Sequence, residues 1–160
     1  MPGMSEDRWR PSVTVAAVIE RDGRYLFVEE HTPEGLRLNQ PAGHLEPGET
    51  LLQAVVREAR EETARDFDPE ALLGVHLARF ERAGETITYL RFAFCGRAGD
   101  EVPGRRLDAP IVRTLWLTPD ELRARAAEHR STLVQRCVDE HAAGVRFPLE
   151  VLRGGVGGMA

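Results

Sequence analysis

Three glutamates set the chemistry that this chain can do. Glu58, Glu61 and Glu62 stand at i, i+3 and i+4, and residues at that spacing share one face of a helix. Three crowded carboxylates repel one another unless positive charge lies between them. A hard divalent cation, which prefers oxygen ligands, is the natural partner. Arg57 precedes the trio, and a loop rich in Gly and Pro, from Gly43 through His44, Leu45, Glu46, Pro47 and Gly48 to Glu49, leads into it. Just upstream, Asn39 and Gln40 add neutral polar groups.

Positioning these groups requires a helix with one buried side. Thr50 followed by Gln53 matches a capping box. Leu52, Val55, Val56 and Ala59 provide an apolar stripe, so the glutamates fall largely on another face. Around this helix the pattern predicts strands over 13–19 and 25–29, a hairpin turning at Arg21-Asp22-Gly23. A short strand over 36–39 leads into the loop. Strands over 72–79 and 86–95 meet at Ala83-Gly84, and a last strand covers 111–117. Between them, 96–110 is a polar loop with three Gly and two Pro, long enough to suspect function. Thr118 caps a helix reaching about residue 125, with Pro119 in its first turn. Another helix spans 132–141. The expected fold is α/β, a mixed sheet sandwiched between helices. One domain covers 12–152; 1–11 and the Gly-rich 153–160 are expected to be flexible ends.

Composition removes several chemistries. The 160 residues carry a net charge of −5, which argues against nonspecific DNA binding and against a basic membrane-surface role. All 21 basic residues are Arg, so a Schiff-base lysine and a Walker-type phosphate lysine are impossible. Cys95 and Cys137 form no CxxC pair, which suits a reducing cytoplasm and carries no zinc signature. No basic-then-apolar leader begins the chain, and no apolar run approaches the roughly 18 residues of a membrane span. A cytoplasmic protein acting on a small molecule is expected, as a monomer or homodimer.

The pattern Gly43-x5-Glu49-x7-Arg57-Glu58-x-x-Glu61-Glu62 resembles the Nudix box, and every charged position of that box is present at its spacing. Ala64 and Arg65 stand where the family has Gly and an aliphatic residue; a left-handed Ala at that helix end would cost roughly 1 kcal/mol. Asn39-Gln40-Pro41-Ala42-Gly43-His44-Leu45-Glu46, Leu90-Arg91-Phe92 and Arg146-Phe147-Pro148-Leu149-Glu150 are similar to the bacterial NudJ-type phosphatase subgroup. The similarity covers about residues 12–151. It implies a Nudix fold and Mg²⁺-dependent hydrolysis of nucleoside di- and triphosphates or thiamine-type pyrophosphates, with Mn²⁺ as a substitute metal. Glu58, Glu61 and Glu62 are then metal ligands, joined by a main-chain carbonyl of Ala42 or Gly43. Glu58 is alternatively the group that orients or deprotonates water. Arg57 holds Glu61 by an ion pair, and Glu49 braces the loop or joins through a metal-bound water. Asp108, in the long loop, is a further base or ligand.

Plainer readings stand beside these. The charged helix face alone fits a solvated, salt-bridged surface. His44 is a substrate contact or a loop residue. Asn39 and Gln40 read a base or bond the loop's backbone. Arg91 lies on the sheet face opposite Leu90 and Phe92, meeting a phosphate or solvent. Arg24 and Arg37 read as surface charges, and Tyr89 as a ring that stacks on a base or, more simply, as a packed strand aromatic. The other histidines read as structural. A nucleotide-binding regulator without turnover and an enzyme acting on the 5′ end of RNA are the rival functions.

Overall fold

The computed structural model describes residues 7–153. Of the expected flexible ends, 1–11 and 153–160, residues 1–6 and 154–160 lie outside the described residues. In chain order the elements are β1 (Ser12–Arg21), β2 (Arg24–Thr32), β3 (Gly35–Asn39), β4 (Ala42–His44), α1 (Leu51–Thr63), β5 (Phe67–Arg82), β6 (Glu85–Ala98), β7 (Ile111–Leu117), α2 (Pro119–Ala124) and α3 (Leu133–Ala142). Short 3₁₀ turns occupy Ala126–Glu128 and Leu149–Val151. No helix among the described residues is long and apolar enough to cross a membrane.

Seven strands form one mixed sheet along the path β3-β2-β1-β6-β5, with β4 on β1 and β7 on β2. The β1–β6 pair is parallel, and the others are antiparallel. The expected β1–β2 hairpin exists only at its tip, where Glu20 faces Tyr25 and Arg21 faces Arg24. Further along, β1 pairs with β4 instead, from Thr14 to Ala16. The sheet therefore splits into two halves, and β4 fills part of the split. A three-residue Ala-Gly-His strand has no alternation to announce it, so in sequence it is indistinguishable from the loop around it.

Each face of the sheet buries apolar side chains against helices. Val15, Ala17, Ile19 and Phe94 pack with Ala54, Val55 and Ala59 of α1. Val18, Phe27, Leu38 and Leu73 pack on the other side with Leu122 of α2 and Val134 and Val138 of α3. That is the expected α/β/α layering. The buried stripe of α1 differs in detail: Ala54 is inside and Val56 only partly so. β5 and β6 are longer than expected at both ends. Bulges between Pro69 and Ala71 and between Leu72 and Gly74 break their alternation, and their outer turn is exposed and charged.

Candidate active site

The site begins with a capped helix. The Thr50 hydroxyl accepts from the Gln53 amide at 3.1 Å, and the Gln53 side chain accepts from the Thr50 amide at 2.9 Å. This box fixes where α1 starts and therefore which face each following residue takes. Arg57, two turns on, is a hub. Its Nε and Nη2 donate to the two oxygens of Glu49 at 3.0 and 2.7 Å. Its Nη1 donates to Glu58 Oε1 at 2.8 Å and to Glu61 Oε2 at 3.1 Å, and Nη2 also reaches the His44 carbonyl at 2.9 Å. One guanidinium thus ties the loop to two carboxylates of the helix, and paired N–H···O bonds to Glu49 fix its plane. Its hydrogen bonds hold the Glu49 carboxyl below its usual range and strengthen the proton hold of Arg57.

β4 brings the main chain against the same carboxylates. The Ala42 amide donates to Glu62 Oε2 at 3.0 Å. At Gly43, any Cβ would fall on the Glu58 carboxylate, so only Gly lets the strand approach this closely. Burial dominates the electrostatics. It pushes the Glu58 carboxyl up, with Arg57 opposing, and pushes Glu62 up to about 9 despite the Ala42 hydrogen bond. Both shifts record negative charge held away from water without enough positive charge beside it.

The long loop supplies a third acid to this cluster. Asp108 donates its backbone N–H to the Glu61 carbonyl at 3.0 Å. One carboxylate oxygen each from Glu58, Glu61 and Asp108 lies within 4.8 Å of the other two. Glu62 stands beside that trio, engaged with Ala42. An all-oxygen donor set, short of positive charge and gathered within one coordination sphere, fits a hard divalent cation.

Ala42 and Gly43 also wall a cavity of about 350 Å³ on their other side. His44, Asn39 and Arg91 line it, together with Tyr89, Phe80 and Arg37. His44 and Tyr89 rings lie 6.0 Å apart, and Phe80 meets Tyr89 edge-on at 5.4 Å. Arg91 is 6 % exposed. Its Nη2 donates to Gln40 Oε1 at 2.8 Å, its Nε has no partner, and burial lowers its proton affinity. Gln40 is enclosed, and its Nε2 donates to the Val134 carbonyl at 2.8 Å. Its polar groups are thus spent on protein partners, and it does not line the cavity.

The structure therefore gathers Glu49, Arg57, Glu58, Glu61, Glu62, Ala42 and Gly43 at one locus, and His44, Asn39 and Arg91 at the adjoining cavity. Two residues read as bland join that cavity wall. Tyr89 and Arg37 both open onto it, and only the register of β5 on β6 and of β3 on β2 reveals this. Of the remaining histidines, His76 pairs with Glu140, His129 with the Leu122 carbonyl and His141 with Tyr25, while His31 is exposed on β2. Arg24 pairs with Glu121 on the surface.

Comparison with known proteins agrees with this geometry. Residues 8–137 match the NUDIX domain family. The chain is 35% identical over 144 residues to the phosphatase NudJ of Escherichia coli K12, covering 90% of this chain and 92% of that one. A NUDIX hydrolase from Nitrosomonas europaea is 49% identical, superposes with a TM-score of 0.85, and is matched over 93% of this chain and 100% of its own. The MutT NUDIX hydrolase of Burkholderia pseudomallei, at 21% identity and TM-score 0.68 over 82% and 98% of the two chains, shares the fold. With the box, the fold and these relatives in agreement, the chain belongs to the Nudix family and is a hydrolase.

Proposed function

We propose that this hydrolase uses Mg²⁺, with Mn²⁺ as a substitute, to cleave phosphoanhydride bonds in nucleoside di- or triphosphates or related organic pyrophosphates, thiamine-type pyrophosphates included. The observation that carries the reading is the convergence of Glu58, Glu61 and Asp108 against the wall of a cavity lined by rings and arginines. Glu58, Glu61, Glu62 and Asp108 would hold the metal, with a carbonyl of Ala42 or Gly43. The bound cation would neutralise phosphoryl oxygens and make water more acidic.

The chain's own residues do the rest. Arg57 engages Glu58 through Oε1, which leaves Oε2 either to hold the metal or, where Glu61, Glu62 and Asp108 hold it, to orient or deprotonate the attacking water. Burial raises the proton affinity of that carboxyl, a shift in the direction a general base needs. Water attacks phosphorus directly. Ser and Cys nucleophile signatures are absent from the sequence, so no covalent intermediate is invoked. His44 and Tyr89 present ring faces to the organic group, and Asn39 and Arg91 offer polar contacts. Gln40 acts through Arg91, holding the guanidinium at the cavity. Glu49 acts through Arg57.

The test is a panel of nucleotides and thiamine-type pyrophosphates with Mg²⁺, detecting orthophosphate and pyrophosphate separately, in water enriched in ¹⁸O. The Escherichia coli relative is a phosphatase, which favours orthophosphate as the product to seek. Label in the released phosphate is expected. Absence of Mg²⁺-dependent release across the panel, with tight binding instead, would favour a regulator; preference for triphosphorylated RNA would favour the RNA-end reading.

A further inference from the structure

Asp108 reaches the carboxylate cluster on a segment with no helix or strand of its own. Residues 99–110 contain Gly99, Pro103, Gly104 and Pro110, so their path must be set by what they are fastened to. The fastenings lie at the end of α1. The Gly99 amide donates to Asp66 O at 2.9 Å, the Val102 amide to Ala64 O at 2.8 Å and the Asp108 amide to Glu61 O at 3.0 Å. The last carbonyls of α1 thereby gain donors that the helix cannot supply. Ala64 does adopt the left-handed conformation, φ 57°, that the family's Gly would take, and it is fully buried.

Position 65 is where this chain differs most from the family pattern, and the structure gives the difference a use. Arg65 Nη1 donates to the Gly99 carbonyl at 2.9 Å. Its guanidinium carbon lies 5.5 Å from the centre of the Trp116 ring on β7. Arg21, from the end of β1, lies 5.3 Å from the same ring and donates to the Ala98 carbonyl at 2.7 Å. Two guanidinium groups thus contact one indole at the point where β6 ends and the segment begins, Arg21 holding the Ala98 carbonyl and reaching that of Gly99 at 3.4 Å, and Arg65 holding Gly99 at the shorter 2.9 Å. An aliphatic residue at 65 would pack on Trp116 but hold no carbonyl.

We propose that Arg65 is a positioning residue for the metal site, gripping Gly99 against Trp116 so that the 99–110 segment carries Asp108 to Glu58 and Glu61. The proposal rests on the metal-dependent reading above. Its test is Mn²⁺ affinity of the metal-free protein, followed by electron paramagnetic resonance, which needs no turnover. Arg65→Leu should weaken binding about tenfold, in the range seen when partners outside the ligand set are lost. Arg65→Lys keeps a cation and one donor and should recover most of that loss. Asp108→Asn should also weaken binding, and adding Arg65→Leu to it should cost nothing more, because Arg65 acts through Asp108.

A wild-type affinity in Arg65→Leu, no recovery in Arg65→Lys, or an undiminished Arg65→Leu effect in the Asp108→Asn background would each overturn the proposal. If the Leu variant does not fold, the same cycle is run with Arg65→Met, which also lacks a donor. Failure of the wild type itself to bind Mn²⁺ would overturn the metal-dependent reading and this inference together; the other contrary results overturn this inference alone.

Discussion

Glu62 shows how a single side chain can be unstable alone and useful with a partner. Its carboxyl is pushed up to about 9 by burial, against an ordinary value near 4.5. In the metal-free protein at pH 7 the folded state therefore keeps a proton that the unfolded state has released, and folding is penalised by about 3 kcal/mol. The penalty is absent below the unfolded value and grows as pH rises from there toward 9. Glu62→Gln keeps an acceptor for the Ala42 amide and removes the titration. With chelator present, thermal melts should show the Gln variant more stable than wild type at pH 8, with the difference shrinking toward pH 4.5. A difference that stays constant with pH would contradict this account. Not every residue in the site could be read so directly. Glu58, Glu61 and Arg57 were legible because helical spacing alone places them together. Asp108 was legible only as an acid in a long loop, since its approach depends on a backbone bond to Glu61 that no local pattern encodes. Tyr89 and Arg91 share a sheet face by simple alternation, but which face holds the cavity depends on β3, β4 and α3 closing over it.

At the scale of elements, α1 is the part that sequence patterns describe best. Its start is set by the reciprocal Thr50–Gln53 bonds, which need only four consecutive residues to be recognised. Thr50→Ala should cost about 1 kcal/mol of stability, measurable as a lower denaturant midpoint at unchanged slope; an unchanged midpoint would show that packing alone places the helix. The β1–β2 region was less legible. A continuous β-branched run fits a hairpin strand, and it fits equally well a strand that pairs with β6 on one edge and is shared between β4 and β2 on the other. Local pattern cannot separate these, because the choice is made by where Pro41 and Ala42 return: the Ala17 amide donates to Pro41 O at 2.9 Å. The far end of α1 was also open from sequence. There the left-handed Ala64 is held by a bond from its own N–H to Arg60 O and by the docked 99–110 segment.

The whole molecule divides its labour along the split in the sheet. The half containing β5 and β6 gives the cavity Phe80, Tyr89 and Arg91, β2 and β3 give it Glu30, Arg37 and Asn39, and the 99–110 segment docks at the end of α1. Ala42 and Gly43 line the cavity and also touch Glu62 and Glu58 of the carboxylate-bearing helix, so under the proposed function one wall would serve both metal binding and substrate recognition. The most direct measurement is phosphate release from a nucleoside diphosphate or thiamine-type pyrophosphate that the wild type turns over, titrated with Mg²⁺ in the wild type and in Glu61→Gln. Saturable, Mg²⁺-dependent release by the wild type and a loss of two or more orders of magnitude in a folded Glu61→Gln variant are predicted. Equal rates in the two proteins, or release indifferent to Mg²⁺ and to chelator, would contradict the assignment of these carboxylates to a metal-dependent reaction.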